Sequence, residues 1–495
     1  MLTWTANEDS RLSLWLRVRE FAVPPSMIET ATARRRAGDW AGACAAAGFD
    51  VDLDLRSSAR THGRDLADRV RADLRRLAPD LLRWHMPRIA PDGLLRPGLT
   101  ISLARYEAEG RDGEHPVHLV ARTPPAWADA GQRISLALWD GSRPGAGDSR
   151  HPHPRPDRRF RLDLHRHLWD ACRAGELRTR SGADPLSADG SPATDPALPA
   201  AVPQGHRCAV DRWAAEARIL LHAEGRHSGP FTVRLGTRHR LVLALVAEED
   251  GDGPPAPGPT NSPTTHIRSA VSRVAVASTD GVRPPAIVAV PTDGGASALP
   301  VLPDAATWVL PDLELVRTGL IEAGRLHPLV AAALVPDHPP VPPSRSPHAA
   351  GRPRLVECRG ARHRIGLADG VLAPLDHDPA EIRREELLAA LTGTPLPCLQ
   401  AIDEAHRRPD CLDGVRERLA HGDTAGALAV VEGLLGPDAL LRRGALRDAL
   451  EAAALRRITY GLFRAGLVGP GPDRIPPGPA RPRDHRSRPR HTISR

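Results

Sequence analysis

Proline decides where this chain can be regular. Residues Glu248 to Thr265 include the run GDGPPAPGPTNSPTT, and neither a helix nor a sheet ladder tolerates that composition, because proline removes a donor and fixes φ. The run reads as a linker between two parts. A second proline-rich stretch, 336–353, reads as a hinge, and the Pro/Arg segment from Val468 lacks the apolar residues for a core and reads as a disordered tail. With 51 Pro and 43 Gly in 495 residues, combined usage exceeds the average of roughly 12 %, so part of the chain has to be connector. The expected division is a mixed half with a helical hairpin and a β layer (1–247), the linker (248–265), a small α+β unit (266–335), the hinge (336–353), a β-hairpin plus helical bundle (354–467) and the tail (468–495). The expected fold class is α+β: αα-hairpins with small antiparallel sheets, a helical C-terminal bundle and a disordered tail.

Hydrophobic periodicity fills in the elements. Ser26-Met-Ile-Glu29 reads as a capping box opening a helix to about Ala37, and Trp40 to Ala47 forms a second helix closed by Gly48. Asp50 to Leu55 alternates acidic and apolar, the period of a half-buried strand, and Leu66, Val70, Leu74 and Leu77 mark one face of a helix stopped by Pro79. Leu99, Ile101 and Leu103, then Ile134, Leu136 and Leu138, read as strands, and Leu164, Leu168 and Cys172 as a helix stopped by Gly175. Residues 181–206 read as a connector, Val210 to Glu224 as a helix and Phe231 to Ala247 as a strand pair. In the second part, strands are expected at Val271 to Ala277 and Ala286 to Val290, a helix from Asp312 to about Ile321, a hairpin from Arg354 to His377 turning at Asp369-Gly370, and at least four helices between Pro379 and Gly466.

One pattern occurs twice. Ala37-Gly-Asp-Trp-Ala-Gly-Ala-Cys-Ala-Ala-Ala47 and His421-Gly-Asp-Thr-Ala-Gly-Ala-Leu-Ala-Val-Val431 share Gly-Asp-x-Ala-Gly-Ala, which reads as the turn of an αα-hairpin, with Gly ending one helix and Asp capping the next. It is similar to the turn of tetratricopeptide-type hairpins over about a dozen residues, without that family's repeat period.

Composition limits the chemistry. All 67 basic side chains are arginine, and without lysine no Walker A loop, protein-kinase strand lysine or Schiff base can operate. Asp50, Asp52 and Asp54 form the densest acidic cluster; alternate strand positions put carboxylates about 7 Å apart on one face, a pattern that could hold Mg²⁺. The short helix followed by Asp-x-Asp resembles the nucleotidyltransferase pattern, which would imply divalent-metal phosphoryl or nucleotidyl transfer, with Gly42-Ala43 standing where that family has Gly-Ser. The second polar cluster is His363, Asp376 and His377 near Cys358; hairpin register pairs His363 with Asp376, and His377-Asp378 resembles the dipeptide of HD phosphohydrolases. His151/His153 and His165/His167 lack zinc spacing, and the six cysteines, with no C-x-x-C among them, read as structural thiols.

Arg481, Arg483, Arg486, Arg488 and Arg490 make the most basic segment and would be the phosphate contacts if the tail binds nucleic acid. No apolar run approaches the roughly 20 residues that span a bilayer, and the first residues lack the apolar core of a secretory signal. The expectation is a cytoplasmic, non-catalytic interaction or adaptor protein without a cofactor, whose partner is another protein; the alternatives are a Mg²⁺-dependent transferase at Asp50, Asp52 and Asp54, and nucleic-acid binding through the tail.

Overall fold

The computed structural model describes residues 5–107, 116–128, 132–141, 151–184, 202, 207–236, 239–246, 287–289, 298–337 and 353–467. The fold is mixed α+β. The chain opens with α1 (Thr5–Phe21), α2 (Pro25–Arg36), α3 (Trp40–Ala46), β1 (Phe49–Val51), α4 (Leu55–His62), α5 (Arg64–Arg76) and α6 (Pro79–His85). A short ribbon, β2 (Arg88–Ile89) with β3 (Leu94–Leu95), precedes β4 (Thr100–Tyr106), β5 (Val117–Arg122) and β6 (Ile134–Asp140). The sheet order is β1-β6-β5-β4. Three strands are antiparallel, and β1 joins β6 parallel, Phe49 opposite Ile134. Leu66, Val70 and Leu74, the face read from periodicity, are buried with Trp84, Ile101 and Leu119 in the first core.

Three local expectations fail for identifiable reasons. α2 begins at Pro25 with Pro24 as its cap, so Ser26 lies inside the helix and no capping box forms; proline's preset φ suits the first helical position. The acidic strand stops at Val51, because Asp54 accepts from the amides of Arg56 (3.1 Å) and Ser57 (3.0 Å) and starts α4 instead. Leu164 to Cys172 is no α-helix. It forms a 3₁₀ turn at Arg166–Leu168, then another at Ala174–Glu176 leading into α7 (Leu177–Ser181), because Trp169 Nε1 donates to Leu162 O (3.0 Å) and Asp170 accepts from the Cys172 amide (2.9 Å), folding the chain back.

The second core gathers α8 (Trp213–Ala223), β7 (Gly229–Arg234), β8 (Arg240–Leu245), β9 (Ile287–Ala289) and α9 (Asp304–Thr307) around Trp213, Phe231, Leu243 and Leu302. The strand pair has Phe231 opposite Leu243, and β9 falls within the strand expected at 286–290; the strand expected at 271–277 lies outside the described residues, as does the linker 248–265. The division expected at 266–335 does not follow the cores. α10 (Pro311–Arg317) and α11 (Pro328–Leu334) return to the first core through Leu315, Ile321 and Val330. The chain passes into and out of the second unit through one clasp, where Ala209 N donates to Thr307 O and Val309 N to Arg207 O, each at 3.0 Å.

The C-terminal part starts with a meander, β10 (Arg354–Cys358), β11 (Ala361–Ala368) and β12 (Val371–Pro374). Asp369 and Gly370 have φ of 51° and 78°, the primed turn expected of that pair. α12 (Pro379–Thr392), α13 (Pro397–Arg407), α14 (Leu412–Ala420), α15 (Thr424–Leu435) and α16 (Ala445–Ala465) follow, with Val415, Ala427, Leu435 and Leu446 buried between them. Both copies of the repeated pattern form the expected turn: Asp39 accepts from Gly42 N at 2.8 Å, and Asp423 from Gly426 N at 2.9 Å. Buried Arg83 ties this part to the first core by donating to Ala22 O (3.0 Å), Gln132 O (2.5 Å) and His421 O (2.9 Å). Among the described residues no helix is long and apolar enough to cross a membrane.

Candidate functional site

A cleft of about 790 Å³ opens where α1, residues 85–101, residues 159–181 and the clasp at 207–212 and 304–318 meet. Trp15, Met86, Ile101, Phe160, Leu162 and Trp308 give it apolar walls. Ten arginines reach it, against two carboxylates, Asp304 and Glu314. Several of these arginines are held by acids in or behind the wall. Arg19 donates to Asp312 (2.7 Å) and to Trp84 O (2.7 Å) and lies over the Trp84 ring, while its buried Nε has no hydrogen bond. Arg159 pairs with Asp304 (2.6 Å), Arg180 with Glu216 (2.6 Å) and Arg11 with Glu314 (2.8 Å).

Others keep charge available. Arg96 and Arg212 form no ion pair within 4 Å among the described residues, and burial lowers the Arg212 pKa, with Glu216 opposing only in part. Arg317 donates to a carbonyl, that of Gly182 (2.8 Å). Histidine adds no charge here at neutral pH: burial drives His85 down to about 4 and His167 well below its ordinary value. An apolar wall with an excess of guanidinium groups suits an anion with an apolar body.

The acidic cluster has another occupation. Asp50 accepts from Arg133 Nε (3.0 Å) and from the Tyr460 hydroxyl, Asp52 pairs with Arg464, and Asp54 caps α4. Burial alone would raise the Asp50 pKa, but the bonds from Arg133 and Tyr460 outweigh it and the net shift is downward. Asp50 and Asp52 thus latch the end of α16 onto β1, helped by Trp127 against Phe463 at 5.3 Å, and Asp54 faces away from that task.

The second polar cluster does assemble, with different partners. Asp376 accepts from Arg364 N (2.7 Å) and its guanidinium (2.7 Å), which hold the carboxyl at about 2. His363 stacks instead on His377, ring centroids 4.1 Å apart. Cys358, His377 and Cys398 bring their donor atoms within 4.8 Å of one another; Cys398, 40 positions beyond Cys358, carries no spacing signal that could have joined it to the others. Of the other histidines the sequence singles out, His151 Nε2 lies 2.9 Å from Thr123 O, and His165 Nε2 3.2 Å from Glu216. Arg481, Arg483, Arg486, Arg488 and Arg490 lie outside the described residues. The arginine cleft carries no local sequence signal, because its members are scattered from Arg11 to Arg317. No protein-family model, curated protein or solved structure matches this chain.

Proposed function

We propose that this chain is a non-catalytic interaction protein, an adaptor, whose cleft receives a phosphorylated organic anion of nucleotide size. The excess of arginine over carboxylate around an apolar-walled cleft of about 790 Å³ carries this reading. Guanidinium groups favour phosphate oxygens bidentately, and the aromatic walls suit a base or comparable flat group. The non-catalytic reading is supported by the histidines nearest the cleft, which burial keeps neutral and too weakly basic for proton transfer near pH 7. The adaptor reading is supported by apolar side chains that no described element covers: Leu387, Leu388 and Leu391 on α12, the last 86 % exposed, and Leu455 and Ile458 on α16.

Calorimetric titration with ATP, pyrophosphate and adenosine tests the cleft. ATP should bind, pyrophosphate more weakly, and adenosine not measurably. Arg96→Ala and Arg212→Ala should each weaken ATP about tenfold, the loss of one charge-assisted contact. Absence of binding by either phosphate, or unchanged affinity in the double variant, rejects the site. Recovery of the intact chain as a lone monomer from its native lysate would count against the adaptor role.

A further inference from the structure

We propose that Cys358, His377 and Cys398 bind one zinc ion, with His363 as the fourth ligand, and that the ion pins the meander β10–β12 to α13. The three donors come from separate elements: Cys358 from the end of β10, His377 from just beyond β12, and Cys398 from the first turn of α13. Their ligand atoms all lie within 4.8 Å of one another, and Cys398 Sγ is 3.6 Å from His377 Nε2, spacings that a tetrahedral ion with bonds of about 2.0 to 2.3 Å draws together with little backbone movement. Both cysteines are free and buried, 1 % and 0 % exposed. His363 has a buried Nδ1 without a hydrogen-bond partner and lies stacked on His377, so turning its ring supplies the fourth donor and satisfies the orphaned nitrogen. On the far side of His377, Nδ1 faces Glu381 Oε2 at 3.9 Å, the carboxylate support that zinc-bound imidazoles commonly have.

Charge and packing agree with an ion. Two thiols lose their protons on binding, and two thiolates and two neutral imidazoles around Zn²⁺ make a site of zero net charge, the arrangement that costs least to bury. Among the described residues, the apolar cluster at this junction has Cys358, Ile365, Cys398 and Ile402 as its buried members, a small core that a staple would strengthen.

The test uses the full-length chain, stripped with chelator under reducing conditions and reloaded with Zn²⁺ or Co²⁺. One ion per chain should bind, and Co²⁺ should show thiolate-to-metal absorption with tetrahedral ligand-field bands. Cys358→Ser and Cys398→Ser should each abolish that absorption, His377→Ala and His363→Ala should weaken binding, and Cys411→Ser should leave it intact. If the serine variants fail to fold, alkylation of the wild type decides: Zn²⁺ should protect Cys358 and Cys398 while the exposed Cys172 reacts at the same rate with or without it. Wild-type chain that retains no ion, equal alkylation in both conditions, or a Cys358–Cys398 disulfide formed in the presence of Zn²⁺ overturns the proposal.

Discussion

Gly42 and Gly426 stand third in their helices, directly beneath the carboxylates that cap them. A Cβ at either place would collide with the side chain of Asp39 or Asp423. In an ordinary helix Gly→Ala gains about 1 kcal/mol. Here Gly426→Ala has to displace the cap and should instead lose about 1 kcal/mol, read as a lower midpoint in urea denaturation; a raised midpoint would contradict the cap geometry. This motif was legible because its chemistry is local: Gly and Asp act within four residues of each other. Asp54 shows the opposite case. Its alternation with Asp50 and Asp52 reads as strand, yet its own side chain bonds two amides ahead of it and opens a helix, and a side chain that competes locally with the ladder defeats a pattern based on period alone.

At the scale of elements, α16 is fixed by polar contacts at its far end. Asp50 meets Tyr460 410 positions later in the chain, a pairing that no local pattern encodes. Arg464→Ala and Tyr460→Phe should speed amide exchange in the last two turns of α16 while lowering global stability by only about 1 kcal/mol, since part-exposed ion pairs contribute little. The charge-swapped pair Asp52→Arg with Arg464→Asp should restore slow exchange, and exchange as fast as in the single variant would show that the latch lies elsewhere. The same limit explains the Cys/His cluster. The hairpin register was readable from Asp369-Gly370, which placed His363 and His377 near Cys358, whereas Cys398 joins them only because α13 packs on the meander.

For the molecule as a whole, buried neutral histidines set the acid limit of stability. Burial lowers His85 and His118 to about 4 and His421, with Arg88 and Arg83 adding to the effect, to about 3. A histidine whose folded value lies below its unfolded value of about 6.5 contributes stability that is complete above that pH and lost as pH falls toward the folded value. Melting temperature should therefore be level above about pH 7 and fall steeply between about pH 6.5 and 4. Glu216 extends the loss below that window: burial would raise it, but His165 and Arg180 hold it at about 2, so its contribution fades from the ordinary carboxylate range downward. A flat profile from pH 7 to 4.5 would show that these rings carry protons in the folded state. The clasp at Arg207 to Ala209 and Thr307 to Val309 has a mechanical corollary. The unit it carries is also lashed sideways to the first core, Arg161 to Glu224 and Arg180 to Glu216 at 2.6 Å each and Asp304 N to Arg159 O at 2.8 Å, and Arg207, Arg212 and Trp308 border the cleft, so the mouth is braced from both rims rather than hung on a single thread.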